Sequence, residues 1–154
     1  MLRSHYCGAV TEKLLDQSVE LAGWVKNRRD HGGVIFVDLR DREGVVQVVF
    51  QPEMAEVFAV AETIRNEYVL HIKGQVRRRP EGMVNTNIPS GQIEVVASEL
   101  EILNAAQTPP FFPDDHQTVG EDIRLRHRYI DLRREEMQKR FILRDKVTQV
   151  MRTS

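Results

Sequence analysis

The chain has 154 residues, room for one domain with a buried core and the beginning of another. Its 22 Lys and Arg stand against 23 Asp and Glu, a net charge of -1, which excludes a polybasic chain that holds polyanions by bulk field, so any nucleic-acid site must be a local patch. With 41% hydrophobic and 29% charged residues, no apolar run that could span a bilayer, no signal-peptide core in the first eight residues and a lone cysteine, Cys7, the composition is that of a soluble cytoplasmic protein without an intrachain disulfide.

From Gln17 to Leu103 the hydrophobic pattern has period two and is punctuated by turn residues, which reads as short strands. The predicted strands are Ser18 to Lys26, Val34 to Arg40, Val45 to Phe50, Tyr68 to Arg79 and Gln92 to Leu103. Gly32-Gly33, Arg42-Glu43-Gly44 and Pro80-Glu81-Gly82 separate them. Between the third and fourth, Val57, Phe58, Ala61 and Ile64 recur at helical spacing behind Pro52, which predicts a helix. Five strands with a helix after the third is the order of elements of an OB-fold, a mainly β barrel that often binds oligonucleotides.

At Gln107 the composition changes abruptly, with Pro109, Pro110 and Pro113 inside a stretch that has no periodicity, as in a stiff linker. Beyond it Met137, Phe141, Val147 and Met151 follow helical spacing among many charges, and the pattern is still running at Ser154. The expected organisation is a barrel over 1–106, a hinge over 107–134 and a helix over 135–154, whose apolar face would belong against a following domain. Charge divides the same way: residues 1–110 hold 12 basic and 15 acidic residues, residues 111–154 hold 10 and 8.

Strand alternation assigns the faces. Ile35, Val37 and Leu39 form the core row of the second strand, so Phe36 points outward; Val46, Val48 and Phe50 go inside in the third, leaving Gln47 outside. Leu70, Ile72, Gly74 and Val76 form the inner row of the fourth, with Lys73, Arg77 and Arg79 on the outer one. In the fifth strand Ile93 and Val95 point in and Glu94 points out. One ring, one amide, several guanidinium groups and one carboxylate therefore share an outer face. Those groups can stack on unstacked bases, neutralise phosphate and accept from base donors. Taken alone the ring also fits a loop-covered phenylalanine, and for Arg77, Arg79 and above all Glu94 the solvated strand face is the leading reading.

Signals for catalysis are negative: no phosphate-binding glycine loop, no CxxC or HExxH spacing, and no ligand spacing among the histidines at 5, 31, 71, 116 and 127. Cys7 reads as a small buried residue. No catalytic residue and no metal site is assigned.

The run GWVKNRRDHGGVIFVDLRDREGVVQVVF from Gly23 to Phe50, followed by RLRHRYIDLRR from Arg124 to Arg134, resembles the N-terminal part of bacterial aspartyl-tRNA synthetases along essentially the whole chain. The resemblance implies an OB-fold anticodon-binding domain, a hinge and the first helix of a class II catalytic domain. The class II motifs that hold ATP, magnesium and aspartate and form the homodimer interface in that family are absent, so this chain would recognise tRNA without charging it. Carried over by position, Phe36 resembles the ring that stacks on the central anticodon base, a uridine, with Gln47 beside it. Arg29 and Glu94 resemble the residues at the first base, guanine, and Arg77, Arg79, Asn85 and Asn87 those around the backbone and third base. His31 and Gly82 look like the pair found in the subgroup that accepts tRNA-Asn as well as tRNA-Asp. The alternative function is a sequence-tolerant module for single-stranded nucleic acid, or a purely structural barrel.

Overall fold

The computed structural model describes residues 2–114 and 119–153; His116 of the expected linker and Ser154 lie outside them. The chain forms two compact units, 1–108 and 109–154. In the first, five strands close into a barrel in the order β1-β2-β3-β5-β4, as the order of predicted elements requires: β1 Ser18–His31, β2 Val34–Asp41, β3 Gly44–Phe50, β4 Val69–Arg78 and β5 Ile93–Asn104. All neighbouring pairs are antiparallel except β3 and β5. Helix α1, Ala55–Glu62, follows β3 and starts three residues later than Pro52, which stands in the turn before it.

β1 is the long element. Its first half pairs with β4 and its second with β2, and a register shift between Val25 and Asn27 lets one strand serve both neighbours. It therefore runs five residues past Lys26, where the sequence predicts its end. The extension Asn27 to His31 carries no apolar alternation and is held in the sheet by β2, with Arg29 directly opposite Phe36. Gly32 and Gly33 then form a two-residue turn, with φ of 59° and 78°. Two consecutive positive φ values match the strand twist in such hairpins and suit glycine.

The inner rows pack as alternation predicts: Ile35, Val37, Leu39, Val46, Val48, Phe50, Leu70, Ile72, Val76, Ile93 and Val95 are all buried in one core. Two 3-10 turns ahead of β1, Cys7–Ala9 and Glu12–Leu14, were not legible as periodic segments. The segment adds Cys7 and Val10 to the core, and Asp41 anchors the first turn: its Oδ2 accepts from the Cys7 amide at 2.7 Å while its Oδ1 accepts from the Glu43 and Gly44 amides of the hairpin. Burial, followed by the nearby Asp41 carboxylate, pushes the Cys7 thiol far above its ordinary range.

The second unit holds α2 Glu121–Arg126, α3 Arg128–Asp131 and α4 Glu135–Thr153, so the region expected as hinge contains two short helices. Asp131 organises them. It is completely buried, and its carboxylate accepts from Arg124 Nε at 2.9 Å and Arg128 Nη1 at 2.8 Å, with Arg134 at 3.7 Å. On α4, Met137 is buried, whereas Phe141, Val147 and Met151 are exposed.

Candidate nucleic-acid interface

The outward rows of β1, β2, β3, β4 and β5, together with the β4–β5 loop, surround a cleft of about 620 Å³. It is lined by Arg29, His31, Phe36, Gln47, Arg77, Arg79, Asn85 and Glu94, eight of the ten residues singled out from the sequence. The other two, Gly82 and Asn87, lie in the same loop but do not line the cleft. Gly82 has φ of 81° and follows Pro80, whose carbonyl accepts from the Met83 amide at 3.0 Å. That is a turn with Glu81 and Gly82 at its two central positions, the second of which takes the positive φ that suits glycine, and it gives Gly82 a backbone reason of its own. Asn87 is exposed, and its amide donates to Asn85 Oδ1 at 3.0 Å, which shapes the loop.

Phe36 is half-buried on the outward row of β2, opposite Val49 of β3. Val49 also lines the cleft and is buried, as are Gln47 and Glu94. The sequence places Gln47 and Glu94 on the outer face, and the structure corrects the inference that outward means exposed. Glu94 retains only 1% exposure because Gln47 and Arg77 wall in its carboxylate.

The polar groups form one connected network. Arg29 grips Asp38 through Nη1 and Nη2 at 2.9 and 3.1 Å, and the same Nη2 donates to Gln47 Oε1 at 3.2 Å. Gln47 Nε2 donates to Glu94 Oε2 at 2.8 Å, and Arg77 Nε donates to Glu94 Oε1 at 2.8 Å. A guanidinium only donates and a carboxylate only accepts, so the Gln47 amide has a single orientation that satisfies both flanks. Arg79 stands slightly apart: its Nε donates to the Ile93 carbonyl at 2.9 Å, while its buried Nη2 has no hydrogen-bond partner among the described residues. Burial lowers the Arg79 pKa from its ordinary value, opposed by the Glu94 and Asp38 carboxylates. A buried, partnerless donor on the wall of a cleft is a group that gains from an acceptor arriving there.

Sequence reasoning missed Asp38, Asp30, Gln51 and Met83. The last three line the cleft and Asp38 stands behind Arg29. Asp38 carried a signal, as a lone acid on the outward row of β2, but its partner became recognisable only once β1 extended to Arg29. Met83, Asp30 and Gln51 had none.

Residues 19–103 match the tRNA anticodon family of OB-fold nucleic acid binding domains. The chain belongs to that family. Over 98% of its length it is 55% identical to an aspartate–tRNA(Asp/Asn) ligase of Legionella pneumophila (strain Corby), of which it covers 26%. It thus spans about a quarter of the length of the curated relatives it matches. Among solved structures, asparaginyl-tRNA synthetase from Pyrococcus horikoshii is similar with a TM-score of 0.71 and 28% identity, covering 86% of this chain and 30% of that one. Aspartyl tRNA synthetase from Entamoeba histolytica shares the fold, with a TM-score of 0.79 and 18% identity over 93% of this chain and 35% of that one. Among the described residues no helix is long and apolar enough to cross a membrane.

Proposed function

We propose that this chain is the anticodon-binding part of a cytoplasmic aspartate–tRNA ligase that accepts tRNA-Asp and tRNA-Asn. The observation that carries the reading is the gathering of Phe36, Gln47, Glu94, Arg29, Arg77 and Arg79 around one cleft. The ring of Phe36 offers a stacking face for the central base. Gln47, held in one orientation, keeps one N–H and one oxygen lone pair for that base, and uracil presents the complementary carbonyl and N3–H. Each Glu94 oxygen accepts one protein hydrogen bond and retains a lone pair for the N1–H and amino donors of guanine. The free Nη2 of Arg79 supplies a donor for phosphate or a base carbonyl. His31 on the cleft rim favours acceptance of both tRNAs, because an imidazole can donate at one nitrogen and accept at the other.

Charging belongs to the whole ligase. No group of three or more His, Cys, Asp or Glu that could hold a metal is gathered among the described residues. By resemblance to the ligases, ATP, magnesium and the homodimer contact are assigned to the rest of the parent protein. The rival reading, a sequence-tolerant single-strand module, calls for several stacking rings, and the cleft has one phenyl group. The test is Phe36→Ala against an anticodon stem-loop: binding weakens by about 1 to 3 kcal/mol, the worth of one stacked base. Because the core row of β2 is untouched, the barrel still melts cooperatively. Unchanged affinity in the folded variant refutes the stacking role, and equal weakening for unrelated single strands favours the rival.

A further inference from the structure

The outward face carries a polar ladder across four strands. Asp38 of β2 stands directly opposite Gln47 of β3, and Glu94 of β5 directly opposite Arg77 of β4. Arg29 reaches over from β1 and ties the first pair together, with two bonds to Asp38 and one to Gln47. The Asp38 side chain is 14% exposed and that of Arg29 is 52% exposed. An arginine half in solvent has many rotamers open to it, and a two-pronged grip on a carboxylate selects one of them. Asp38 itself does not line the cleft. It stands behind the groups that do.

We propose that Asp38 is a positioning residue for base recognition: it fixes the Arg29 guanidinium, which in turn holds the Gln47 amide with its free edge toward the bound base. This rests on the cleft being the anticodon site. Charge gives the inference its distinguishing sign. A carboxylate beside a cleft that receives a polyanion repels every RNA alike, so on charge alone its removal tightens binding of all sequences. Positioning acts in the opposite direction, and only on the loop whose central base Gln47 reads.

The experiment uses the chain as it stands, with Asp38→Asn, Arg29→Ala and the double variant. Two anticodon stem-loops differing only in the central base are bound to each, uridine in one and cytidine in the other. Asp38→Asn lowers affinity for the uridine loop roughly ten-fold, about 1.4 kcal/mol, and leaves the cytidine loop equal or tighter. In the Arg29→Ala background the same substitution produces no further loss for the uridine loop, since the route through Arg29 is already gone. Arg29→Lys keeps the charge without the two-pronged grip and lowers uridine preference in the same way; it carries the test should Asp38→Asn fail to fold. Equal tightening of both loops, or an equal loss with and without Arg29, overturns the proposal. Phe36→Ala separates the two levels: if it leaves binding unchanged, the cleft reading itself fails. If it weakens binding while the Asp38 and Arg29→Lys variants keep full uridine preference, only the positioning role fails.

Discussion

Glu94→Gln replaces a buried acceptor-only group by an amide, and its consequence follows from the direction of each bond in the network. In the native chain Arg29 donates to Gln47, Gln47 donates to Glu94 and Arg77 donates to Glu94. With an amide at 94, two amides lie between two guanidinium groups, giving three links to satisfy. If Gln47 keeps its orientation, the new amide faces a donor with its NH2 at either Gln47 or Arg77; if Gln47 flips, the conflict moves to Arg29. At most two links survive in any arrangement.

An unpaired buried donor costs about 1 to 3 kcal/mol, and the conflict will settle where water reaches it, at an arginine end, which favours the lower part of that range. Arg29 and Arg77 keep 52% and 40% side-chain exposure. Exchange of charge-assisted bonds for neutral ones adds about 1 kcal/mol, for a total of roughly 2 to 3 kcal/mol. For a domain of this size each kcal/mol lowers Tm by about 4 to 8 °C, so the barrel should melt roughly 10 to 20 °C earlier. Trp24, the single tryptophan, lies on β1 and reports this unit by fluorescence. Stem-loop binding at low temperature should show the preference for guanine at the first anticodon position falling by about 1 to 3 kcal/mol. A Tm within about 3 °C of the parent would refute the network argument, and retained guanine preference would refute base reading by Glu94.

Stem-loops carrying the anticodons GUC and GUU should bind within about ten-fold of one another, 1.4 kcal/mol, and a larger preference for cytidine in a binding titration would show strict reading at the third base. Gly82→Ala should cost about 1 kcal/mol in unfolding free energy and Gly82→Asn less, because φ of 81° is the only obstacle and a Cβ there meets nothing within 4 Å; equal effects would count against the turn assignment. Cys7 should stay unreactive toward iodoacetamide in the native chain and react on unfolding, since its thiolate is disfavoured by burial. Its folded-state pKa lies above the unfolded value, so the folded state keeps a proton that the unfolded state loses above about pH 9. Stability should then fall with pH by up to about 1.4 kcal/mol per unit relative to Cys7→Ala, and parallel pH profiles of the two proteins would contradict this.

Much of the barrel was legible because alternation is a local signal. Ile35, Val37 and Leu39 name their face without reference to any other strand, and the same holds for Val46, Val48 and Phe50. The second half of β1 was not, since Asn27 to His31 is polar on both faces and owes its extended form to pairing with β2. Glu94 could be placed on the outward row but its burial could not be foreseen, because its partners come from β3 and β4. The buried Asp131 has the same cause in the second unit. In the run from Arg124 to Arg134 one acid among five arginines looks solvated, and only folding puts three of those guanidinium groups on it.

The network also reconciles an almost neutral chain with an RNA-binding reading. Asp38 is paired with Arg29 and Glu94 with Arg77, so these four charges cancel and Arg79 is left as the unbalanced cation of the group. One surplus positive charge gives little long-range attraction for a polyanion. What the cleft has instead is a set of donors and acceptors whose directions are fixed before any base arrives. A base with the complementary edge completes the remaining bonds without reorganisation, whereas a wrong base leaves a buried polar group unpaired at a cost of about 1 to 3 kcal/mol. On the proposed reading, discrimination would rest on the penalty for mismatch, and that penalty would be only as large as the network is rigid.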